Sequence, residues 1–338
     1  MLNKTLFVVS LLLLAALTAC GAQPAAPAES AAPAAPTDIT VMLDWVPNTN
    51  HTGLYVAQSQ GFFEEAGLNV SIIQPGESTA EQVVAAGSAH FGVSYQEGVT
   101  LARTQDVPIV SVAAVIQHNT SGFASRAAAG ITSPRDFEGK TYGGWGSPVE
   151  QAMLSLLMQC DGGDVSQVNI LDSGYTDFLT ITERGDIDFA WIFYGWDGIN
   201  AELKGVELNT VMLNEWQECV PDYYTPVLIT NEKMIAEQPE LVKAFVGAAA
   251  KGYEFAIANP EQAADILLQA APENDPALVK ASQQWLAKQY QADALQWGQQ
   301  SEAVWQRYAD WLLEQGLLDK PLDAAAAFDN SFLPARGN

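Results

Sequence analysis

Short apolar runs alternate with amphipathic stretches along most of the chain. The run "DITVMLDW" predicts a strand, and "HTGLYVAQSQGFFEEAGL" predicts a helix that ends at Gly67. The pattern continues with the strand "NVSIIQP", the helix "GESTAEQVVAAGSA", the strand "HFGVSY", the helix "QEGVTLARTQ" and the strand "PIVSVAAVIQ". Ser78 and Glu81 have the spacing of a capping box in the second of these helices. This alternation predicts a parallel α/β sheet with binding sites at the strand ends.

The same alternation repeats in the middle of the chain. "KTYGGW", "NILDSG" and "DIDFAWIFYGW" predict strands, and two long helical stretches follow further on. We therefore expect an α/β fold of two lobes. Lobe one would contain residues 38–122 and 230–338, and lobe two residues 123–229. A chain that crosses twice between lobes predicts a hinged cleft, which is a frequent location for small-molecule sites.

The first residues are typical of export. Lys4 precedes "LFVVSLLLLAALTAC", an apolar run that is too short for a resident membrane helix. We expect residues 1–19 to be a lipoprotein signal peptide and Cys20 to carry the lipid; the alternative is a simple secretory signal that is cut elsewhere. Residues 20–37 are rich in Ala and Pro and predict an extended tether to the membrane surface.

The net charge and the cysteines indicate which partners and which covalent bonds to expect. The formal net charge is −25, so the surface repels phosphate backbones and nucleic acid is not an expected partner. Cys160 and Cys219 could pair in an exported protein, but two cysteines cannot define a disulfide framework. We expect two independent thiols.

The loop "DWVPNTNHTG" supplies the first candidate ligand contacts. Asp44, Trp45, Asn48 and His51 follow the first predicted strand, on the crevice side of an open α/β sheet. Trp45 offers a flat face for a ring, and Asn48 offers a donor and an acceptor. Alternatively, Asn48 only shapes the turn, and His51 only satisfies local backbone groups. Tyr95, after the third strand, is a further candidate at a strand end.

The second half supplies the remaining candidates. In "GGWGSPVEQAML", Trp145 lies among glycines, and Glu150 either accepts from a heterocycle or only caps the following helix. Strand alternation allows only some aromatic residues of "DIDFAWIFYGWDG" to face the cleft, and we expect Trp191 and Tyr194 there. Tyr223 is a candidate at a predicted crossing between the lobes. Helical spacing predicts core positions for the C-terminal tryptophans, Trp285, Trp297, Trp305 and Trp311.

Four segments carry a family resemblance: "DWVPNTNHTGLYVAQSQGFFEEAGLNV", "GGWGSPVEQAML", "DFAWIFYGWDG" and "DYYTPVLITNEK". They resemble solute-binding subunits of bacterial ABC importers, in the group of thiamine pyrimidine-precursor and riboflavin-binding lipoproteins. The resemblance implies a type II periplasmic-binding-protein fold and a lipid-anchored monomer on the outer face of the cell membrane. By this resemblance, the protein would deliver a planar heterocycle to a permease and its ATPase subunit. The aromatic candidates favour riboflavin; formylaminopyrimidine is the alternative, and sulfonates come third.

The resemblance also extends to thiamine pyrimidine synthases, which implies an enzyme as a further alternative. These are similar to pyridoxal-phosphate enzymes that consume a histidine, and their cofactor lysine falls near Ser94 and their donor histidine near Gly98. Their cysteine-rich segment falls at a stretch where this chain has only Cys219. Without that lysine no Schiff base can form at this position. The three histidines have no metal-ligand spacing, and we expect no catalytic residues, cofactor or metal.

Overall fold

The computed structural model describes residues 35–146, 148–174 and 176–335, and its strands form two five-stranded sheets. The strands are β1 (Thr37–Met42), β2 (Leu68–Ile73), β3 (Phe91–Ser94), β4 (Ile109–Ala114), β5 (Ser121–Arg126), β6 (Thr141–Gly144), β7 (Asn169–Asp172), β8 (Phe189–Phe193), β9 (Leu208–Met212) and β10 (Val227–Asn231). The helices are α1 (Thr52–Ser59), α2 (Phe62–Glu65), α3 (Ala80–Ala85), α4 (Gln96–Thr104), α5 (Pro148–Cys160), α6 (Phe178–Arg184), α7 (Ile199–Leu203), α8 (Glu232–Glu237), α9 (Pro239–Ala258), α10 (Pro260–Ala270), α11 (Pro276–Leu286), α12 (Glu302–Glu314) and α13 (Ala324–Ala327).

Each sheet is the centre of one lobe. The sheet of lobe one has the order β2-β1-β3-β10-β4, and that of lobe two has the order β7-β6-β8-β5-β9. The strand pairs β1–β2, β1–β3, β6–β7 and β6–β8 are parallel, as the alternation predicts. β10 and β5 run antiparallel to both of their neighbours. These two strands directly follow the crossings between the sheets, so each enters its sheet from the other lobe.

Apolar side chains cover both faces of each sheet. In lobe one, Phe245 of α9 stacks on Phe91 of β3 with ring centroids 3.8 Å apart. On the same helix, Gly252 lies so close to the backbone of Gly53 in α1 that a Cβ atom would overlap with the carbonyl oxygen. Glycine at this position is therefore required for the close packing of α1 against α9.

Two local details differ from the sequence prediction. The helix predicted to run to Gly67 is divided into α1 and α2, because Gly61 between them adopts a left-handed conformation with φ of 76°. The capping box of α3 is formed by Thr79 and Gln82 instead of Ser78 and Glu81. The carboxylate of Glu81 instead accepts a hydrogen bond from the Ser94 hydroxyl.

The chain passes between the sheets at residues 115–120, which we call the first crossing, and at residues 213–226, the second crossing. Helix α12 packs against both lobes: Trp305 lies in a core of lobe one, and Trp311 in the main core of lobe two. The core positions predicted for Trp297, Trp305 and Trp311 are confirmed, whereas Trp285 is half-buried. The residue boundaries of the lobes stay a prediction. In the structure, β10 pairs with strands of lobe one.

The expectation of two independent thiols is wrong. Cys160 at the end of α5 and Cys219 in the second crossing form a disulfide, with Cα atoms 5.9 Å apart. This separation lies within the usual range for disulfides, and the bond is typical of proteins from oxidising compartments. The two residues are 59 positions apart, so the sequence does not show that the fold brings them together.

The predicted signal peptide and Cys20 lie outside the described residues. None of the described helices combines the length and the apolar character that crossing a bilayer requires.

His118 of the first crossing holds the second crossing in place. Its Nδ1 lies 2.6 Å from a carboxylate oxygen of Asp222, and its Nε2 lies 2.9 Å from Asp293. The other oxygen of Asp222 accepts the backbone N–H of Asn119 at 2.9 Å. The hydrogen bond to Asp222 and the second one to Asp293 outweigh partial burial and raise the pKa of His118 to about 9.

We predict that His118→Gln lowers the melting temperature at pH 6 by about 1–3 °C, since a partly exposed ion pair contributes at most about 1 kcal/mol. The folded pKa of His118 is raised, so its contribution is complete below the unfolded value of about 6.5 and is lost as the pH rises through 9. Melting curves of both proteins from pH 6 to 10 should therefore converge. If the two proteins differ in melting temperature by the same amount at pH 6 and at pH 10, the charged form of His118 does not account for the stabilisation.

Candidate functional site

Asp44 organises the loop between β1 and α1. Its Oδ1 lies 2.6 Å from His51 Nε2, and its Oδ2 accepts a hydrogen bond from the Tyr95 hydroxyl at 2.8 Å. His51 Nδ1 accepts the backbone N–H of Asn48 at 3.2 Å, so the proton on Nε2 is the one donated to Asp44. The structure thus brings together four predicted site residues that follow two neighbouring strands.

Hydrogen bonds keep Asp44 and Tyr95 each in one protonation state. Burial raises the pKa of Asp44, but its interaction with His51, together with the hydrogen bond from Tyr95, outweighs burial and holds the pKa below its ordinary value. Burial and the neighbouring Asp44 raise the pKa of Tyr95 well above its ordinary value. Asp44 is therefore a carboxylate at neutral pH, and Tyr95 stays a donor.

The amide of Asn48 is used within the loop. Its Oδ1 accepts the N–H of Asn50 at 2.8 Å and caps a short 3-10 helix, and its Nδ2 donates to the carbonyl of Val46 at 3.1 Å. Trp45 differs, because 41% of its surface is exposed. Among the residues of this loop, Trp45 is thus the one with a large exposed ring, and its role as a ligand contact stays a prediction.

The lobe-two candidates form a second group. Glu150 is buried and accepts hydrogen bonds from the Tyr142 hydroxyl at 2.5 Å and from the backbone N–H of Trp145 at 3.1 Å. The rings of Trp145 and Trp191 lie 5.8 Å apart and both are half-buried. Glu150 thus fixes the backbone that carries the Trp145 ring. Ser147, the residue before α5, lies outside the described residues.

Two further candidates contact other parts of the protein. Tyr194 donates to Glu202 at 2.5 Å, and its ring lies 5.5 Å from that of Trp285. Tyr223 is buried and stacks on Tyr308 of α12 with centroids 4.3 Å apart. Their roles as ligand contacts stay predictions.

Helix α11 links the two groups. The hydroxyl of Ser282 lies 2.6 Å from that of Thr49 in the lobe-one loop, and it also donates to the carbonyl of Gly195 in lobe two. Gly195 belongs to a π-helix, Tyr194–Gly198, that directly follows β8. The lobe-one loop and the π-helix after β8 are therefore both hydrogen-bonded to the same residue of α11, Ser282.

Sequence reasoning missed three polar residues at the junction of the lobes, Glu97, Asn119 and Tyr308. Glu97 follows the β3 end as closely as Tyr95 does, so the strand-end argument could have found it. Asn119 lies in the short polar stretch "QHNT" between two apolar strands, which is a weaker signal. Tyr308 has the helical spacing of a core residue and gave no signal.

Metal binding has no structural support in the part of the chain that the structure describes. Within those residues, no group of three or more His, Cys, Asp and Glu side chains is arranged to hold a metal ion.

Comparison with known proteins shows which family the chain matches. Residues 48–263 match the family described as NMT1/THI5 like, and this segment contains the Asp44-linked loop residues from Asn48 onward. The chain belongs to this family. The family resemblance stated from the sequence is therefore confirmed.

The relatives of this chain include proteins named for binding and proteins named for catalysis. The chain is 35% identical over 301 residues to a formylaminopyrimidine-binding protein of Halalkalibacterium halodurans, covering 86% of this chain and 89% of the relative. It is 26% identical over 361 residues to the riboflavin-binding protein RibY of Chloroflexus aurantiacus, covering 99% of both. It is 24% identical over 311 residues to a 4-amino-5-hydroxymethyl-2-methylpyrimidine phosphate synthase of Legionella pneumophila, covering 88% and 92%.

Solved structures establish the fold. The periplasmic aliphatic sulphonate-binding protein SsuA from Escherichia coli superimposes with a TM-score of 0.64 at 14% identity, over 86% of this chain and 92% of SsuA. The predicted two-lobed α/β fold of the type II periplasmic binding proteins is thereby confirmed.

We predict that Trp45→Ala weakens ligand binding about 5- to 150-fold, by analogy with the cost of truncating a stacking ring. The melting temperature of the ligand-free protein should change little, because Trp45 is exposed and belongs to none of the buried cores. Asn48→Ala is the matched contrast: loss of its cap should destabilise the protein by about 1 kcal/mol. Titration calorimetry and thermal melts of both variants measure these effects. Unchanged affinity in Trp45→Ala would remove this loop from the ligand site.

Proposed function

We propose that this protein is the solute-binding subunit of an ABC importer and that it captures a neutral, planar, vitamin-type heterocycle between its lobes. The observation that carries the proposal is the exposed Trp45 ring beside a prearranged polar group, in a family whose members include two named binding proteins. Closure of two lobes on such a ring would bury its faces and pair its polar atoms.

The charges around the lobe-one strand ends favour a neutral ligand. Asp44 is a carboxylate, and Glu81 lies at the neighbouring end of β3, bonded to the Ser94 hydroxyl. An anion such as a sulfonate or phosphate ester would be repelled by these groups. This distinguishes the proposed ligand from that named for SsuA.

Two heterocycles are the candidates, and we rank the formylaminopyrimidine first. The preference for riboflavin rested on the number of aromatic residues available for a large ring. Tyr194 and Tyr223 are engaged with Trp285 and Tyr308, which reduces that number. The 35% identity to the formylaminopyrimidine-binding protein points the same way. Riboflavin is the second candidate, supported by the relative that matches 99% of both chains.

We also propose that the protein has no synthase activity. Ser94 stands where the resemblance to the synthases places a cofactor lysine, and its hydroxyl is bonded to Glu81. A side chain at Gly98, the position of the donor histidine, would meet a Glu81 oxygen at 2.7 Å. Serine cannot form a Schiff base, and glycine cannot supply the imidazole that such an enzyme consumes.

We predict that the purified protein binds the formylaminopyrimidine with a dissociation constant in or below the micromolar range, and without converting it. Titration calorimetry with formylaminopyrimidine, riboflavin and an alkanesulfonate, followed by mass spectrometry of the recovered ligand, tests this. The alkanesulfonate is the control and should not bind. Binding of the sulfonate alone would contradict the proposed ligand class, and a chemically altered pyrimidine would contradict the absence of catalysis.

The same proposal places the protein on the outer face of the cell membrane, held by a lipid on Cys20, and treats it as a monomer that docks on a permease and its ATPase subunit. We predict that Cys20→Ala abolishes lipid attachment, since the thiol is the acceptor. Fractionation of cells and mass spectrometry of the N-terminus measure this. A correctly processed Cys20→Ala protein that stays in the membrane fraction would refute the lipid anchor.

A further inference from the structure

Helix α11 of lobe one contacts the π-helix of lobe two, Tyr194–Gly198, and we call this pair of elements the α11 contact. Val279 and Leu286 of α11 lie in the main core of lobe one. The π-helix follows β8 of the lobe-two sheet, but its Trp196 ring packs against the same lobe-one core. The α11 contact therefore joins the two lobes directly.

The two elements of the α11 contact pack closely at Gly195. A Cβ atom added at this residue would lie 3.1 Å from the Trp285 ring and 3.2 Å from Leu286. Distances of this size are shorter than ordinary van der Waals separations between carbon atoms. The backbone of Gly195 thus lies directly on α11, and the lobes are closed on each other at this point.

One hydroxyl group, that of Ser282, connects both lobes within the α11 contact. It donates to the carbonyl of Gly195 and lies 2.6 Å from the hydroxyl of Thr49. Since serine has a single hydroxyl proton and a carbonyl can only accept, Thr49 is the donor to Ser282. Thr49 belongs to the loop that carries Trp45. Two hydrogen bonds in series therefore run from the Trp45 loop to lobe two, and each strengthens the other.

The α11 contact is less buried than the packing of α12, which also touches both lobes. Trp305 and Tyr308 of α12 are completely buried, one in a core of each lobe. In the α11 contact, the rings of Trp285 and Tyr194 lie 5.5 Å apart and both are half-buried. Separation at α12 would expose core surface to water, whereas separation at the α11 contact exposes rings that are already partly hydrated. Opening at the α11 contact is therefore the less costly motion.

We propose that Ser282 is a positioning residue that stabilises the closed form around the captured heterocycle, and that its bond to Gly195 breaks each time a ligand enters or leaves. This inference rests on the proposed function and adds the residue that retains the ligand. A bond made only in the closed form stabilises that form alone. It therefore slows release of the ligand and leaves the encounter with the open form unchanged.

The first test measures both rate constants for Ser282→Ala by stopped-flow kinetics. The probe is formylaminopyrimidine, or riboflavin if that is the heterocycle that binds. The dissociation rate constant should rise about 2- to 12-fold, the factor that corresponds to one net hydrogen bond. The association rate constant should stay within about twofold of the parent value. Unchanged dissociation, even with a lower melting temperature, would show that Ser282 serves only the stability of lobe one.

Ser111→Ala is the matched control, because it removes a buried serine hydroxyl whose partner lies in the same lobe. This hydroxyl donates to the Gln300 side chain at 2.8 Å. The variant should lose stability and release the ligand at the rate of the parent. Release that is accelerated equally in Ser111→Ala and Ser282→Ala would show that general destabilisation, and not the α11 contact, frees the ligand.

The second test follows the α11 contact in the unmodified protein by hydrogen–deuterium exchange. Without ligand, the amides of Tyr194–Gly198 and of α11 should exchange faster than with saturating ligand, because the open form exposes them to water. The amides of α12 should change less, since both cores stay packed around that helix. Equal exchange at the α11 contact with and without ligand would show that this contact never opens, and would overturn the inference.

The outcomes separate the two proposals. If the parent binds neither heterocycle, the proposed function fails and this inference fails with it. If the parent binds and Ser282→Ala releases the ligand at the same rate, the proposed function stands and only this inference is overturned.

Discussion

A buried carboxylate must be hydrogen-bonded, and the position of Asp44 shows how far this requirement shapes the protein. Its two oxygens take hydrogen bonds from His51 and Tyr95, which belong to different strand-helix turns. Leaving either oxygen unpaired in this site would cost a few kcal/mol. The carboxylate therefore fixes the β1–α1 loop against the start of α4, and Trp45 and Asn48 take their positions from this loop.

The protein satisfies almost all polar groups of the loop internally. Tyr253 and Tyr290 donate to the carbonyls of Asn50 and Thr49, and Asn274 donates to the carbonyl of Pro47. A loop bound in this way changes little when a ligand arrives, which lowers the entropic cost of binding. What remains exposed in this loop is one aromatic ring, that of Trp45. An exposed aromatic ring on a fixed loop suits a site that holds a flat ring.

The same region explains how a binding protein and an enzyme can share this fold. A Schiff-base enzyme needs an amine at the strand end, whereas this chain has a serine bonded to a glutamate there. The surrounding carboxylates would also oppose a phosphorylated cofactor. The architecture alone does not decide function, and the end of β3 is where this chain departs from the synthase pattern that the resemblance implies.

Much of the fold followed from the sequence, because strand-helix alternation and the strand-end rule depend only on local pattern. That rule placed Asp44, His51 and Tyr95 together, but it could not show that they bind one another. Strand alternation does not determine the direction of Tyr194, because the period of two ends at Phe193, where a π-helix begins. The stacking of Tyr223 on Tyr308 and the pairing of Cys160 with Cys219 both depend on tertiary packing between distant segments, which no local spacing reports.

The central claim is that a neutral heterocycle lies between the lobes with its face on Trp45. A crystal structure of the protein grown with formylaminopyrimidine tests this most directly. The account predicts a ring stacked on Trp45, within about 4 Å of the indole. A pyrimidine bound outside the cleft, or bound in the cleft without contact to Trp45, would contradict it.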